Sequence, residues 1–450
     1  MSARYLPPHH SNLNHIPGDW GLPLVGSALP LVSDLLNTTR QRVARYGAIS
    51  RVRLGPERGL LVVGSDSYRS IFTDNQQRFS ARLGYMNQLG RFYEGGLLLR
   101  DADDHRAQRR ILQQAFKFTT MRDYVPRVEC AVLNHLATWS RGDAFHFYDH
   151  IKRTLLDVAT DIFLGIPDED QRGEFVSRAF LDIASGLGSL LPWDLPGTPI
   201  RRGLQGRDRL HRYLQEGIED KRRQLGMDMF SLLANARTDD GKTFCDKEVI
   251  QHVAFLLFAA HDTTTSLLSH SVMYLGLYPD FQSRLRVEYD SLKKASLEWD
   301  DLSALPLTQH FLDEVLRLHP PVPLMVRRTT VEVELGGYTI PAHTDLFMPS
   351  AYNQRDGRYW RNPDDFDPER FSDERSEHKQ HGFYFHPFGG GAHKCIGMHF
   401  AYMIAKLCLF HLLRNSVLEL PDNFQPKLAW IPIPRPTNGP PIILRDHAKR

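Results

Sequence analysis

The stretch FGGGAHKCIG, residues 388–397, places one cysteine between glycines immediately before a predicted helix. The glycines before Cys395 allow a tight backbone turn that brings N–H groups toward the sulfur, and Gly397 leaves room for a flat ligand against the helix. A helix N-terminus favours a thiolate over a thiol, and the thiolate is the form that binds a metal. The segment therefore indicates a cysteine prepared for metal binding.

Other kinds of site account less well for this segment. A phosphate loop requires Ser or Thr after its lysine, but here Cys395 follows Lys394. A zinc site built on Cys395 and His399 lacks two further ligands at a recognisable spacing. A cysteine nucleophile that needs an unassigned histidine partner, and a glycine-rich turn with a buried structural cysteine, both stay open on this segment alone.

The composition is that of an ordinary globular protein. Of 450 residues, 42% are hydrophobic and 24% are charged, and 55 Lys and Arg nearly balance 53 Asp and Glu, so no nucleic-acid partner is expected. The 4 cysteines show no CxxC spacing, which favours a reducing, cytoplasmic setting over a disulfide framework. The N-terminal region has no apolar run of signal-peptide length, and the sequence predicts a soluble protein without a membrane anchor.

Hydrophobic periodicity predicts a mainly α chain with a small β subregion near each end. No internal repeat or composition shift is found, so residues 16–450 are expected to form a single domain. The predicted elements, in chain order, are a loose segment over 1–15, a helix over 31–46, a hairpin of strands 49–54 and 60–63, mostly helix over 103–317, a β-rich region over 331–348, a polar loop over 362–381, and a helix that follows Cys395 and runs to 413.

The glycine-rich segment resembles the haem-binding signature of the cytochrome P-450 superfamily. Phe388, Gly391, Cys395 and Gly397 match the pattern Phe-x-x-Gly-x-x-x-Cys-x-Gly. The resemblance implies that the thiolate of Cys395 binds the iron of haem b. It also implies the cytochrome P-450 fold, in which the haem is sandwiched between a long distal helix and the helix that follows Cys395.

A second match concerns an acid and a base spaced three residues apart. Glu314 and Arg317 lie on one face of a predicted helix, and by themselves would be a surface ion pair of little energetic value. They resemble the superfamily's Glu-x-x-Arg motif, which Arg370 in a proline-rich stretch would complete. The resemblance implies a structural triad that fixes the loop presenting the cysteine.

A third match lies in an apolar helix, where Asp262 and Thr263 follow the small residues Ala259 and Ala260. By itself, the helix could be amphipathic, with its Asp and Thr turned to solvent. It resembles the superfamily's oxygen-activation stretch, which implies proton delivery by Asp262 and Thr263 and contact of Ala259 with the haem. Ala260 stands where glycine is commoner, and His261 gives the stretch a likeness to that of sterol 14-demethylases.

The two haem propionates require cationic partners. The resemblance assigns this role to His105 and Arg109 on one helix, to Arg327 on a strand, and to His393 beside the cysteine. Lys394, Arg106, Arg110 and Lys406 would ring the same face of the protein and form a docking patch for an acidic electron donor.

The resemblance implies a haem-thiolate monooxygenase that inserts one atom of O₂ into a hydrophobic substrate, steroid, terpenoid or fatty-acid-like. Because no dinucleotide fingerprint is present, electrons are expected from a separate ferredoxin-type donor with its reductase. The alternatives are a haem-thiolate peroxygenase or isomerase that needs no donor, and a haem-binding sensor without turnover. Predicted substrate-contacting segments are residues 83–99, 175–195, 255–259, 322–326 and 431–434.

Overall fold

Helices make up most of the computed structural model, which describes residues 12–23, 25–166, 171–189, 193–224, 226–237, 241–437 and 439–447. The α-helices in these ranges are α1 (Ala28–Ser33), α2 (Leu35–Tyr46), α3 (Ser65–Phe72), α4 (Ala81–Tyr93), α5 (Ala102–Leu112), α6 (Phe118–Thr138), α7 (Phe147–Ala159), α8 (Gln171–Leu187), α9 (Pro199–Arg223), α10 (Met229–Asn235), α11 (Asp246–Leu277), α12 (Pro279–Ser291), α13 (Pro306–Leu318), α14 (Ser350–Asn353) and α15 (Met398–Asn415).

The strands are short and lie at the margins of the helical body. They are β1 (Ile49–Leu54), β2 (Glu57–Val62), β3 (Phe79–Ser80), β4 (Ala144–His146), β5 (Met325–Thr329), β6 (Val333–Leu335), β7 (Tyr338–Ile340), β8 (Asp345–Met348), β9 (Ser416–Glu419), β10 (Leu428–Ala429), β11 (Arg435–Pro436) and β12 (Pro441–Asp446). The prediction of a mainly α chain with small β-sheets is confirmed.

The largest sheet joins both predicted β subregions. Its strand order is β1-β2-β8-β5-β3, so the predicted N-terminal hairpin pairs with strands nearly 300 residues later in the chain. β2 runs parallel to β8, with Gly59 opposite Asp345, and a Cβ on Gly59 would lie 2.3 Å from the Asp345 carbonyl oxygen. Strands therefore lie in both predicted β subregions, and their pairing in one sheet was not predicted, because strand pairing between distant segments leaves no local sequence signal.

The long helix α11 crosses the core and is buried around most of its circumference. Its 32 residues begin at a capping box, in which the Cys245 N–H bonds the Glu248 side chain at 3.0 Å. α15 packs against it, and its residues Phe400 to Leu413 are almost all buried. A helix that is apolar on all sides belongs inside a protein, and these two helices form the centre of the main hydrophobic core.

One helical stretch among the described residues, Gly391–Asn415, is long and apolar enough to cross a membrane. It contains α15, and 67% of its most apolar window is buried within the protein. Core helices of globular proteins pass the same length and composition test, so this stretch is weak evidence for a span.

Two element boundaries differ from the predictions. The predicted helix 31–46 is two helices, α1 and α2, separated at Asp34, whose carboxylate accepts the Asn37 N–H at 2.9 Å and caps the second. The predicted loose segment 1–15 falls largely outside the described residues. At its described end, Leu13 is buried and His15 Nε2 bonds the Thr339 carbonyl oxygen at 2.8 Å.

Candidate active site

The backbone around Cys395 forms a tight turn against α3. The Cys395 N–H donates to the Phe388 carbonyl oxygen at 2.9 Å, and the Gly397 N–H donates to the Cys395 sulfur. Gly391 has a φ of +62°, and a Cβ there would lie 1.7 Å from the carbonyl oxygen of Phe72. Glycine is thus required at position 391 both by backbone conformation and by close approach to another helix.

Gly397 is not required by the surrounding protein. Its φ is −88°, and a Cβ there would meet only Phe116 at 3.8 Å and the Cys395 sulfur at 4.0 Å. The space beside the sulfur is therefore open, and a side chain at 397 would enter it. This is the arrangement expected where a flat group lies against the start of α15.

The Cys395 side chain is accessible, although protein surrounds it, so the sulfur lies in a recess inside the molecule. Burial raises the pKa of this thiol, and the opposing effects of the Gly397 N–H and the positive charges of Arg109 and Lys394 do not fully offset it. A bound metal ion would reverse that balance, because a coordinating thiol loses its proton.

Four basic side chains from three separate segments of the chain meet at one site. His105 and Arg109 come from α5, Arg327 comes from β5, and the His393 ring lies with its centroid 4.0 Å from that of His105. Burial, together with the neighbouring charges of His393 and Arg109, lowers the pKa of His105 to about 3.

Asp101 is the only carboxylate that the described structure pairs with this cluster, through His393 Nε2 at 3.5 Å. Arg109 has no carboxylate partner among the described residues, and Arg327 donates to the Val326 carbonyl oxygen at 2.8 Å. The guanidinium groups of Arg109 and Arg327 are thus charged, at least partly buried and without a carboxylate partner among the described residues, which favours a ligand with carboxylates. The two propionates of a haem fit this requirement, and the open space beside Cys395 fits its ring.

On α11, the side chains of Thr263 and Asp262 both interact with neighbouring groups, Thr263 through a hydrogen bond and Asp262 through a hydrogen bond and an ion pair. The Thr263 hydroxyl donates to the Ala259 carbonyl oxygen at 2.7 Å, which turns it back along the helix. The Asp262 carboxylate lies 3.1 Å from His261 Nδ1 and 3.6 Å from Lys152 Nζ on α7. Burial raises the pKa of Asp262, but hydrogen bonding and charge from His261 and Lys152 outweigh it, so the net pKa is lowered.

Glu314, Arg317 and Arg370 form a fully buried network. Arg317 donates to both Glu314 carboxylate oxygens, to Oε2 at 2.7 Å and to Oε1 at 2.8 Å, and Arg370 Nε lies 3.3 Å from Oε1. Other guanidinium N–H groups of both arginines bond backbone carbonyl oxygens of the loop between α14 and the Pro368–Phe371 turn, and Arg370 Nη1 also lies 3.2 Å from the Glu377 carboxylate. The network joins α13 to the proline-rich stretch, as the sequence match implies.

The predicted basic ring is only partly at the surface. Lys394, Arg106 and Arg110 are exposed, and Arg106 is paired with Asp103. Lys406 is buried and donates to the Leu302 carbonyl oxygen at 2.7 Å, so its assignment to the docking patch was wrong. Lys406 lies on a face of α15 that packs against the chain around Leu302, a contact that helical periodicity alone does not reveal.

An aromatic group lies between α4 and α11, within the predicted substrate-contacting segments. The Tyr93 ring stacks on Phe258 with centroids 4.7 Å apart and meets the edge of Phe255 at 6.0 Å. The buried Tyr93 hydroxyl has no hydrogen-bond partner among the described residues, and the Asp262 charge adds to burial in raising its pKa. Residues 190–192 of the predicted segment 175–195 lie outside the described residues.

Sequence reasoning missed three residues of this site. Phe72 supplies the carbonyl that excludes a side chain at Gly391, Asp101 pairs with His393, and Lys152 pairs with Asp262. None of them carries a local motif, and only Asp101, directly before the helix that holds His105, lay close to a residue already singled out. In the described part of the chain, no group of three or more His, Cys, Asp or Glu could hold a metal ion, which disfavours the zinc interpretation.

The chain is similar in sequence to one family of known proteins over most of its length. A family model for cytochrome P450 matches residues 16–438. The chain is 33% identical over 448 residues to a putative cytochrome P450 136 of Mycobacterium tuberculosis (strain CDC 1551 / Oshkosh), covering 98% of this chain and 90% of that protein. It is 27% identical over 449 residues to abscisic acid 8'-hydroxylase 4 of Arabidopsis thaliana, and this match covers 96% of this chain and 92% of that protein.

The fold is also similar to a solved structure, described as retinoic acid bound cyanobacterial CYP120A1. The TM-score is 0.86 at 28% identity, and the match covers 96% of this chain and 99% of that chain. The similarity thus extends through nearly the whole chain and includes the cysteine segment, α11 and the triad.

Proposed function

Because this chain belongs to the cytochrome P450 family, we propose that it is a monooxygenase that hydroxylates a terpenoid, steroid or fatty-acid-like substrate with electrons from a ferredoxin-type protein. The family assignment makes the chain a haem-containing oxidoreductase that uses O₂, a hydrophobic substrate and a redox partner. The observation that carries the proposal is the recessed Cys395 sulfur beside four basic side chains, two of them buried and two half-buried, which have one carboxylate partner, Asp101, among the described residues.

Cys395 would hold the iron, and His105, Arg109, Arg327 and His393 would hold the propionates. The Phe388 to Gly397 turn would present the sulfur, and Ala259 would face the ring from α11. When bound, the haem supplies the activation of O₂ that no protein side chain can perform. The chain itself supplies the thiolate, the charge balance and exclusion of water.

Asp262 and Thr263 would deliver protons to the oxygen-binding side. Asp262 is held ionised between His261 and Lys152, and its partner Lys152 is partly exposed, so the carboxylate is connected to solvent. Thr263 is one residue further along α11, and its hydroxyl can exchange its bond to the Ala259 carbonyl oxygen for a bond to water. A proton would thus pass from solvent through Asp262 toward Thr263.

The substrate pocket is expected to be apolar with one polar group. An unmade hydrogen bond at the buried Tyr93 hydroxyl costs about 1–3 kcal/mol, which a substrate oxygen would recover. The flanking Phe255 and Phe258 rings favour an extended apolar body. A terpenoid or fatty acid meets both requirements, and similar proteins carry names that refer to retinoic acid and abscisic acid.

The electron donor would dock on the exposed basic residues near Cys395, which are Lys394, Arg106 and Arg110. An acidic ferredoxin complements this charge, and the association rate should fall as ionic strength rises. We also place the enzyme in the cytoplasm, in keeping with its 4 unpaired cysteines. Fractionation of lysed cells tests the location, and recovery in the membrane pellet would count against it.

A carbon monoxide difference spectrum of the reduced protein is the decisive first experiment. We expect the carbonyl band of thiolate-ligated haem in the wild type and its loss in Cys395→Ser. Cys130→Ser, which changes an exposed cysteine on α6, should retain the band. A carbonyl spectrum typical of imidazole coordination, or no haem binding, would refute the assignment.

Turnover separates the monooxygenase from the alternatives. Product should form from steroid, terpenoid or fatty-acid panels only with a ferredoxin, its reductase, a nicotinamide reductant and O₂. Equal product formation with peroxide alone would indicate a peroxygenase, and substrate conversion without any donor would indicate an isomerase. Ligand binding without any product across the panel would favour a sensor.

A further inference from the structure

A cluster of ionisable side chains lies between α13 and α15, where Lys406 is buried and Asp313 and Tyr402 are half-buried. The Tyr402 hydroxyl donates to Asp313 Oδ1 at 2.5 Å, and Gln309 Nε2 donates to the same oxygen at 3.1 Å. Lys406, one helical turn beyond Tyr402, is held by the Leu302 carbonyl oxygen. Neither the haem contacts nor the proton path proposed above uses Asp313, Tyr402 or Lys406.

The cluster is electrostatically poised near neutral pH. Burial raises the pKa of Asp313 to about 6, although the hydrogen bonds from Tyr402 and Gln309 and the charge of Lys406 act in the opposite direction. Burial also lowers the pKa of Lys406 to about 8. The other charged groups that face the cluster are Glu314 on α13 and Glu288 on α12, and Glu288 accepts the N–H groups of residues 307 and 308.

The cluster contacts the cysteine segment through one aromatic ring. The Phe388 ring packs against the Tyr402 ring with centroids 5.2 Å apart. The carbonyl oxygen of Phe388 accepts the Cys395 N–H at 2.9 Å. The hydrogen bond between Tyr402 and Asp313 therefore fixes a ring that in turn supports the peptide bonded to Cys395.

We propose that Asp313 and Tyr402 are positioning residues for the Cys395 segment, and that a proton on Asp313 is thermodynamically coupled to electron uptake at the metal that Cys395 binds. This inference rests on the proposed function. An ionised Asp313 is a negative charge linked to the Cys395 segment through Tyr402 and Phe388, and by Coulomb's law it opposes the addition of an electron there. With haem bound, the donor protein would supply the electron, and the Asp313 carboxylate would bind on average a fraction of one proton taken from the buffered solvent.

Linkage makes this coupling measurable as a pH-dependent reduction potential of the haem-loaded protein. We expect the wild-type potential to fall as pH rises through about 6. Asp313→Asn should lose this inflection and lie above the wild-type potential at neutral pH. Tyr402→Phe should shift the inflection to higher pH, because it removes a hydrogen bond that favours the carboxylate. Asp300→Asn, which changes an exposed acid paired with Arg122, should leave the curve unchanged.

The outcomes distinguish this inference from the proposed function. A thiolate carbonyl band with no inflection in the wild type, or an inflection that persists in Asp313→Asn, would overturn the coupling and leave the monooxygenase assignment intact. Absence of the thiolate band in the wild type would refute the assignment itself. If Asp313→Asn fails to retain haem, Tyr402→Phe decides the question, and an unshifted inflection in that variant overturns the coupling.

Discussion

At the scale of single residues, Arg109 carries the clearest unmet electrostatic requirement. It lies partly buried on α5 without a described carboxylate partner, and the charge of Cys395 is the interaction that supports its protonated form. A charge-assisted bond to a propionate contributes about 1.5–3 kcal/mol. We predict that Arg109→Ala weakens haem retention by roughly 10- to 100-fold.

Transfer of haem to a competing apoprotein measures this effect. Arg110→Ala is the matched control, because it removes an exposed arginine from the next position of the same helix. Equal rates of haem loss from the two variants would contradict the proposed propionate contact.

Gly391 provides a prediction about stability. Because alanine at 391 would place its Cβ 1.7 Å from the Phe72 carbonyl oxygen at a φ of +62°, either the turn or α3 has to shift. Gly391→Ala should lower the free energy of unfolding by more than about 1–3 kcal/mol, the ordinary cost of a strained backbone conformation alone. Urea unfolding measures this loss of stability. Gly382→Ala is the control, because a Cβ at position 382 would meet nothing within 4 Å. Similar stabilities of the two variants would show that the turn accommodates a side chain.

At the scale of elements, α11 brings the acid, the alcohol and the pocket wall onto one helix. Thr263→Ala removes the hydroxyl that we place at the end of the proton path, and product yield per electron consumed should fall several-fold while haem binding stays unchanged. Thr265→Ala is the control, because that hydroxyl is buried and bonds the His261 carbonyl oxygen within the helix. The amounts of reductant consumed, product formed and peroxide released give the product yield per electron. An unchanged yield in Thr263→Ala would exclude Thr263 from the proton path.

The packing of α13 on α15 gives a pH-dependent prediction. The folded-state pKa of Asp313 is raised from 3.8 to about 6, so the folded protein binds more protons than the unfolded chain between these values. The contribution of Asp313 to stability is then largest at low pH and falls as pH rises toward 6. Asp313→Asn should therefore gain stability relative to the wild type as pH increases.

Denaturant unfolding tests the direction of this stability change. It is measured at one pH below 5 and one above 6.5, which bracket the folded-state pKa of about 6. Asp300→Asn again serves as the control for an exposed acid. A constant stability difference between Asp313→Asn and the wild type across the two pH values would show that Asp313 does not titrate in this range.

At the scale of the whole molecule, the Glu314 network ties the helical body to the loop that leads to Cys395. Glu314→Gln would leave the guanidinium groups of Arg317 and Arg370 buried without their shared carboxylate. Breaking a buried pair in this way typically costs about 3–5 kcal/mol. We expect loss of soluble, haem-retaining protein, measured as a large fall in the free energy of unfolding.

Glu369→Gln is the control for this prediction. Glu369 lies next to Arg370 in sequence, but its partner Arg284 is exposed and the pair is solvated. Such surface pairs contribute at most about 1 kcal/mol. A cost for Glu314→Gln as small as that for Glu369→Gln would contradict a structural role for the triad.

Much of the site was predictable because its motifs are local. The spacing of Phe388, Gly391, Cys395 and Gly397 indicates a turn and a helix start, and the i, i+3 spacing of Glu314 and Arg317 indicates a shared face. These relations depend on backbone geometry over a few residues, which the amino-acid order itself specifies. The mainly α composition of the fold follows from periodicity in the same way.

The tertiary structure alone decided which distant groups meet. The approach of Phe72 to Gly391, the pairing of Lys152 with Asp262, and the burial of Lys406 all depend on how helices pack over long sequence separations. So does the joining of the N-terminal hairpin to β8 and β5 in one sheet. Contact between elements is set by the shape and burial of whole surfaces, and a single sequence records the residues on those surfaces but not their partners.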